Sequence, residues 1–442
     1  MAESVNSTGR GLFKNVEISL TSEMDVRSAC FHPIEPILAC GLFSGGIILF
    51  KSSWKHSTSL STWKPQCQFR SEYSALSLNF NKSGTKLAGG CIDGTLIVWC
   101  SRTGQKRVLP VSRRLDFPLT VWNPFDLNVL ASYNNAMEGK LVVIFNAAIG
   151  HFYFLQSKEN VWCVDWISRN RLACSYDDGT VEIHEIELGF ISTSNLVKKL
   201  VVSTHFTSQN QVFPFPKNRG MKSDVWSIAW NEQLQLLATS SHDGWVKLWS
   251  MDSQDPVHMR HFSSFCCHLV WSPMELPSSN KDPLEGEREP YLASGMEDGS
   301  ISIWAPGRNM RPFLLFDGHT EQLHQISFSP NGRYLASTDY DRKLIIWSTK
   351  TWNIIYTLPP SGCRFPYTIS WDATSSKLCI TEKTGLKRFL TIEFVAAENQ
   401  CAKCKKTSHN MKRCSRCRSV FYCNAECQFS HWSNHKTVCQ KK

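Results

Sequence analysis

One short pattern recurs eight times across the first 395 residues of this 442-residue chain, so most of the core must come from stacked copies of one small unit. The pattern is a Leu followed by Ala, then Asp-Gly six and seven residues on, then a large apolar residue at twelve. It is fullest in Leu87-Ala88…Asp93-Gly94…Trp99, Leu237-Ala238…Asp243-Gly244…Trp249, Leu292-Ala293…Asp298-Gly299…Trp304 and Leu335-Ala336…Asp341-Arg342…Trp347. Weaker copies run from Leu38 through Ser44-Gly45 to Phe50, from Leu172 through Asp178-Gly179 to His184, from Leu130 to Phe145 with a three-residue turn insertion, and from Leu378 through Gly385 to Leu390. Apolar residues alternate on both sides of each turn, which predicts two antiparallel strands, and Asp-Gly supplies the positive φ and side-chain capping of a tight hairpin.

Ahead of each hairpin lies another alternating run that ends in an aromatic residue: Phe31, Phe80, Trp122, Trp166, Trp230, Trp271, Phe328 and Trp371. Short fourth strands are visible between copies at Arg107–Val111, Phe313–Phe316 and Ile354–Leu358. Successive repeat ends from Phe50 to Trp347 are 49, 46, 39, 65, 55 and 43 residues apart, near the length of a four-stranded propeller blade.

This region resembles a WD40-repeat β-propeller, and the resemblance implies an all-β ring of eight blades, with seven blades plus an irregular unit as the alternative. The copy around Gly318-His319 is nearest the family pattern, in which His319, Ser337, Asp341 and Trp347 are implied to form a buried hydrogen-bonded structural tetrad. Most other copies lack the Gly-His, so their blades are expected to rest on packing. Val16–Leu20 is the candidate outer strand that closes the last blade. Insertions at 191–223, with Phe213-Pro-Phe-Pro216, and at 274–290 map to surface loops, which either bind something or are merely tolerated. Residues before the repeat Asp, namely Ile92, Asp177, His242, Glu297 and Tyr340, are the family-typical rim contacts, and they share no single chemistry.

The last 42 residues carry a different signal, Cys401-x2-Cys404-x9-Cys414-x2-Cys417-x5-Cys423-x3-Cys427-x7-His435-x3-Cys439. Zinc takes four thiolate or imidazole ligands in a tetrahedron, and each Cys-x2-Cys corner supplies two from one turn. Eight ligands make two filled, structural sites with no open position for a water nucleophile. With Tyr422 before Cys423 and Gln428-x3-Trp432-x2-His435 toward the end, the segment resembles a MYND-type zinc finger. That resemblance implies an interleaved pairing, with Cys401, Cys404, Cys423 and Cys427 on the first ion and Cys414, Cys417, His435 and Cys439 on the second. His431 competes with His435, but only His435 keeps the family's interval to the last cysteine. Residues 424–435 read as a short helix. The family also docks proline- and leucine-containing peptides beside this helix, and the matching positions are Ser415, Gln428 and Trp432; packing of Trp432 inside the finger is the alternative.

The domain reading is a flexible N-terminus over 1–12, a propeller over 13–397 and the finger over 398–442. Of the formal net charge of +10, residues 401–442 carry +9, and two Zn²⁺ with seven thiolates lower that to about +6. A basic tail opens nucleic acid as a second partner class, but its cations flank turns and do not line one helix face. No apolar stretch is long enough to span a membrane, and the start lacks a secretory pattern. Scattered strand cysteines such as Cys30, Cys40, Cys91, Cys163 and Cys174 read as small buried hydrophobes in a reducing cytosol or nucleus. There is no G-x-x-x-x-G-K-[ST], G-x-S-x-G or H-E-x-x-H. The sequence therefore points to a non-catalytic interaction scaffold whose partners are proteins, including a proline-rich motif, with no small-molecule substrate.

Overall fold

The computed structural model describes residues 12–17, 26–52, 63–69, 74–109, 118–134, 140–187, 193–202, 224–273, 290–305, 312–358, 368–381, 390–395, 399–400, 403, 407–408, 412–413, 421–422 and 424–436. Two compact units emerge, one spanning Glu17–Thr391 and the other Met1–Val16 with Ile392–Lys442. Seven four-stranded sheets each take four consecutive strands, with inner strands Val26–Phe31, Ala75–Phe80, Pro118–Trp122, Val161–Trp166, Val225–Asn231, Cys266–Trp271 and Leu323–Phe328 (blades 1 to 7). An eighth sheet, blade 8, is ordered Thr368–Trp371, Lys377–Thr381, Leu390–Val395, Leu12–Glu17. Each blade meets the inner strand of the next, through its own inner strand in most blades and through Val129–Asn134 in blade 3, and Thr368–Trp371 returns to Val26–Phe31, which closes the ring. The closing strand, expected at Val16–Leu20, starts earlier, at Leu12, and shares Val16 and Glu17 with the expected span; residues 18–25 are outside the described residues. Strand pairing, more than the local alternation of an edge strand, sets its span.

The Asp-Gly turns form as the repeat requires. Gly94 and Gly299 have φ of 83° and 85°, while Asp93 Oδ1 accepts from the Thr95 N–H at 3.1 Å and Asp298 Oδ1 from the Ser300 N–H at 3.0 Å. A Cβ on Gly299 would sit 2.7 Å from the His319 carbonyl oxygen, so this turn excludes a side chain on two grounds. Outer strands run Lys106–Leu109, Pro312–Phe316 and Ile354–Leu358, and part of the 191–223 insertion becomes the outer strand of blade 4, Thr193–Val201. Residues 203–223 and 274–289, including Phe213–Pro216, lie outside the described residues.

The core is a series of apolar layers between blades. Ile47 and Leu49 of blade 1 pack with Leu87, Ile97 and Trp99 of blade 2, and Ile301 and Ile303 of blade 6 pack with Ile326, Leu335 and Trp347 of blade 7. Cys379 of blade 8 joins Val26, Phe31, Leu38 and Cys40 of blade 1, so the seam is sealed by the same means. Each buried aliphatic side chain contributes about 1.5–3 kcal/mol. The aromatic residue near the end of the inner strand has a second task in blades 3, 4, 6 and 8, whereas the Trp230 indole N–H of blade 5 is buried with no hydrogen-bond partner among the described residues. The indole N–H of Trp122, Trp166, Trp271 and Trp371 donates to the carbonyl of Asn79, Val121, Ala229 and Ser327, at 2.8, 3.3, 3.0 and 3.3 Å, each acceptor lying in the preceding blade.

Blade 7 corrects one expectation. His319 bridges Asp339 Oδ2 and Ser337 Oγ, both at 2.7 Å, and Trp347 Nε1 donates to Ser337 Oγ at 3.0 Å. The carboxylate of the tetrad is thus Asp339 and not Asp341, which is exposed in the turn. Asp339 ends its strand beside the imidazole, whereas Asp341 lies two residues farther along, where Arg342 takes a φ of 64°.

Cys30, Cys40, Cys91 and Cys174 are buried, Cys163 is partly so, and all five are unbridged. Burial pushes the Cys163 thiol up to about 11 and those of Cys30 and Cys174 higher still, so they are poor nucleophiles. Among the described residues no helix is long and apolar enough to cross a membrane.

Candidate functional site

The C-terminal unit contains two minimal hairpins, Asn399–Gln400 with Thr407–Ser408 and Lys412–Arg413 with Phe421–Tyr422, and then helix α1, Ala425–His435. Asn424 starts the helix by accepting from the Cys427 N–H at 2.8 Å, and Glu426 in the first turn and His435 in the last suit the helix dipole. Cys423 and the other candidate ligands Cys401, Cys404, Cys414, Cys417 and Cys439, with Ser415, lie outside the described residues.

The structure places Cys427 and His435 on this helix, together with Gln428 and Trp432. Tyr422 is fully buried, and its hydroxyl lies 3.0 Å from His431 Nδ1. The His431 and His435 rings stack at 6.2 Å, Trp432 meets His435 edge-on at 5.9 Å, and His435 is only 4% exposed. A thiol and a shielded imidazole are the donor types that zinc takes. Eight helical residues separate them by about 12 Å, too far for two ligands of one tetrahedral ion. Gln428 and Trp432 are partly exposed, and Phe429, which the sequence reading passed over, is 85% exposed. Its signal was a large apolar residue among polar helical neighbours.

The propeller presents a second candidate. In blades 2 and 4 to 7 the residue before the turn Asp donates its backbone N–H to the residue just ahead of the inner strand: Ile92 to Ser74, Asp177 to Asn160, His242 to Asp224, Glu297 to Phe265 and Tyr340 to Gln322. The rim positions expected from sequence therefore occupy equivalent places at one end of the ring. Next to them the inner strands of blades 1, 2 and 4 to 7 carry a β-bulge, which frees Arg27, Leu76, Trp162, Trp226, Cys267 and His324 from the ladder. Trp162 and Trp226 stack at 4.8 Å, Trp226 reaches Phe265 at 5.7 Å, and His242 stacks on Phe265 at 4.5 Å. Sequence reasoning missed this aromatic arc, because its members are brought together by neighbouring blades and not by spacing.

Comparison with known proteins agrees with both units. The MYND finger model matches residues 401–439, and the WD domain, G-beta repeat model matches 63–100, 213–250 and 310–348. The first of the WD matches joins the outer strand of blade 1 to three strands of blade 2, so the sequence repeat and the blade are staggered. The WD repeat-containing protein SL1-17 of Schistosoma mansoni is 26% identical over 45% of this chain and 69% of its own. The probable cytosolic iron-sulfur protein assembly protein Ciao1 of Culex quinquefasciatus is 40% identical, over 14% of this chain and 20% of its own. Among solved structures the C-terminal WD40 domain of Sif2 superposes with a TM-score of 0.65 at 16% identity, covering 87% of this chain and 99% of that one, a likeness of fold.

Proposed function

The chain carries WD40 repeats in its propeller and a MYND finger at residues 401–439, and from these two modules we propose a non-catalytic scaffold that assembles one protein on the propeller and docks a proline- and leucine-containing peptide on the finger. The observation that carries this reading is the surface that helix α1 leaves open beside its buried end, where Gln428 and Trp432 share one side of the helix with the buried His435. Tyr422 and His435 are shielded, while Gln428 and Trp432 keep part of their surface and Phe429 nearly all of it. An open indole offers a flat apolar face to a proline ring, and a Gln amide bonds a peptide backbone. Ser415 would complete the site.

Two structural zinc ions hold the finger, Cys401, Cys404, Cys423 and Cys427 on one and Cys414, Cys417, His435 and Cys439 on the other. The distance between Cys427 and His435 along one helix supports their assignment to separate ions. His431, with Nδ1 beside the Tyr422 hydroxyl, serves as a wall of the finger. Closed sites leave the metal structural, and the protein works in the cytosol or the nucleus, where its unbridged cysteines stay reduced.

The test titrates the zinc-loaded full-length chain with a labelled Pro-Leu peptide and, separately, with a short DNA duplex at about 0.15 M salt. Peptide binding that Gln428→Ala and Trp432→Ala each weaken about tenfold or more, against weak and salt-sensitive DNA binding, supports the reading. Tight DNA binding indifferent to Trp432→Ala overturns it.

A further inference from the structure

At the ring end described above, three positions in each of blades 4 to 7 are structurally equivalent: the residue ahead of the inner strand, the bulge residue and the residue before the turn Asp. These positions hold the aromatic arc of Trp162, Trp226, Phe265 and His242, the carboxylates of Asp177, Asp224 and Glu297, and no Lys or Arg. Asp224 and Glu297 are backbone-paired to His242 and Phe265, within the arc itself. The Trp162 and Trp226 indole N–H groups are buried and have no hydrogen-bond partner among the described residues, so the pair offers ring faces and no polar edge.

Blade 1 shows how the same two positions behave when they are self-sufficient. There the bulge residue Arg27 lies over the ring of Phe43, the residue before the turn, at 4.9 Å. Blades 4 to 6 place aromatic rings at these positions and carboxylates beside them, and put no Lys or Arg there. The geometry points to a docking site for a basic peptide, whose Arg or Lys side chain lies on the partly exposed Trp162–Trp226 pair, backed by the buried Phe265, with its charge met by Asp177, Asp224 and Glu297. Cation–π attraction is largest over Trp, and the surrounding carboxylates add long-range attraction. This site is independent of the finger, whose basic charge repels the same peptide.

The experiment uses zinc-loaded full-length protein and fluorescence anisotropy with three labelled nonapeptides at about 0.15 M salt. One carries three Arg among Gly and Ser, the second has citrulline in place of Arg, and the third Glu. The Arg peptide is expected to bind about tenfold more tightly than the citrulline peptide. Glu297→Gln and Asp224→Asn, isosteric changes at partly exposed positions whose fold is checked by circular dichroism, should each weaken it several-fold. Trp226→Leu should weaken it about tenfold and Trp226→Phe less, while Trp432→Ala changes nothing. Equal binding of the Arg and citrulline peptides, preference for the Glu peptide, absence of binding, or affinity unchanged in both Glu297→Gln and Trp226→Leu would each overturn the proposal.

Discussion

Trp99, Trp249, Trp304 and Trp347 occupy one position in the third strand of their blades, yet their indole N–H groups are treated differently. Trp249 donates to Thr239 Oγ1 at 2.9 Å and Trp347 to Ser337 Oγ at 3.0 Å, whereas those of Trp99 and Trp304 are buried with no hydrogen-bond partner among the described residues. Packing therefore keeps Trp in blades 2 and 6, and a hydrogen bond is added in blades 5 and 7. Trp→Phe removes similar volume at every copy, so the polar atom sets the difference. Trp347→Phe should cost about 1–2 kcal/mol more than Trp99→Phe, read from urea midpoints of the full chain. Equal costs would show that the Ser337 contact carries no stability. The neighbouring carboxylates make a sharper contrast. Asp339→Asn breaks a contact with His319 whose two side chains are fully buried and should cost about 3 kcal/mol or more, while Asp341→Asn at the exposed turn stays within about 0.5 kcal/mol.

At the scale of the element, the inner strands join blades through polar atoms as well as apolar layers, and Asp165 is the most consequential. Its carboxylate accepts the backbone N–H of Trp166 and, across the blade boundary, that of Trp230, both at 2.8 Å. Burial raises its pKa to about 6, opposed by those two hydrogen bonds. The folded value thus lies above the unfolded one, so the folded chain holds this proton more tightly. That contribution, at most about 3 kcal/mol, is fully present below about pH 4 and is lost as pH rises through about 6. Asp165→Asn has no such proton, so its stability deficit should shrink between pH 4.5 and 7 in urea titrations, to which a constant deficit would be fatal. The strand containing Asp165 also shows where reading from sequence stops. Val161-Trp-Cys-Val-Asp-Trp166 is legible as an apolar run ending in an aromatic residue, because alternation is a local property. That Trp162 leaves the ladder at a bulge is not legible, since one extra residue in an apolar run looks like its neighbours. Its partner Trp226 is 64 positions away and arrives only through the stacking of blades. The finger was legible for the opposite reason: its cysteines and His435 follow a local spacing, whereas Phe429 carries no motif.

The whole molecule combines two units that are stabilised by unlike means. The Glu17–Thr391 unit has apolar layers between its blades and a seam closed by Cys379 packing on blade 1 and by the Phe31 N–H donating to Ser370 Oγ at 3.0 Å, across 339 residues of chain. The finger has a helix of 11 residues, shorter than an isolated helix needs in water, and two hairpins of two residues per strand. Such a segment cannot fold on burial alone, so ligand deprotonation and metal binding must supply most of its folding free energy. Removing zinc with excess chelator should therefore leave the propeller standing while helix α1 melts. Hydrogen exchange followed by mass spectrometry resolves the two: peptides covering 425–436 should lose protection in chelator, and peptides covering 335–348 should keep it. Binding should divide in the same way, with Pro-Leu peptide binding lost and Arg-peptide binding at the Trp162–Trp226 arc retained. Loss of protection in both units on chelation would mean that the metal sites support the propeller too. Retention in both would mean that the hairpins and helix hold together without zinc, contrary to what their size permits.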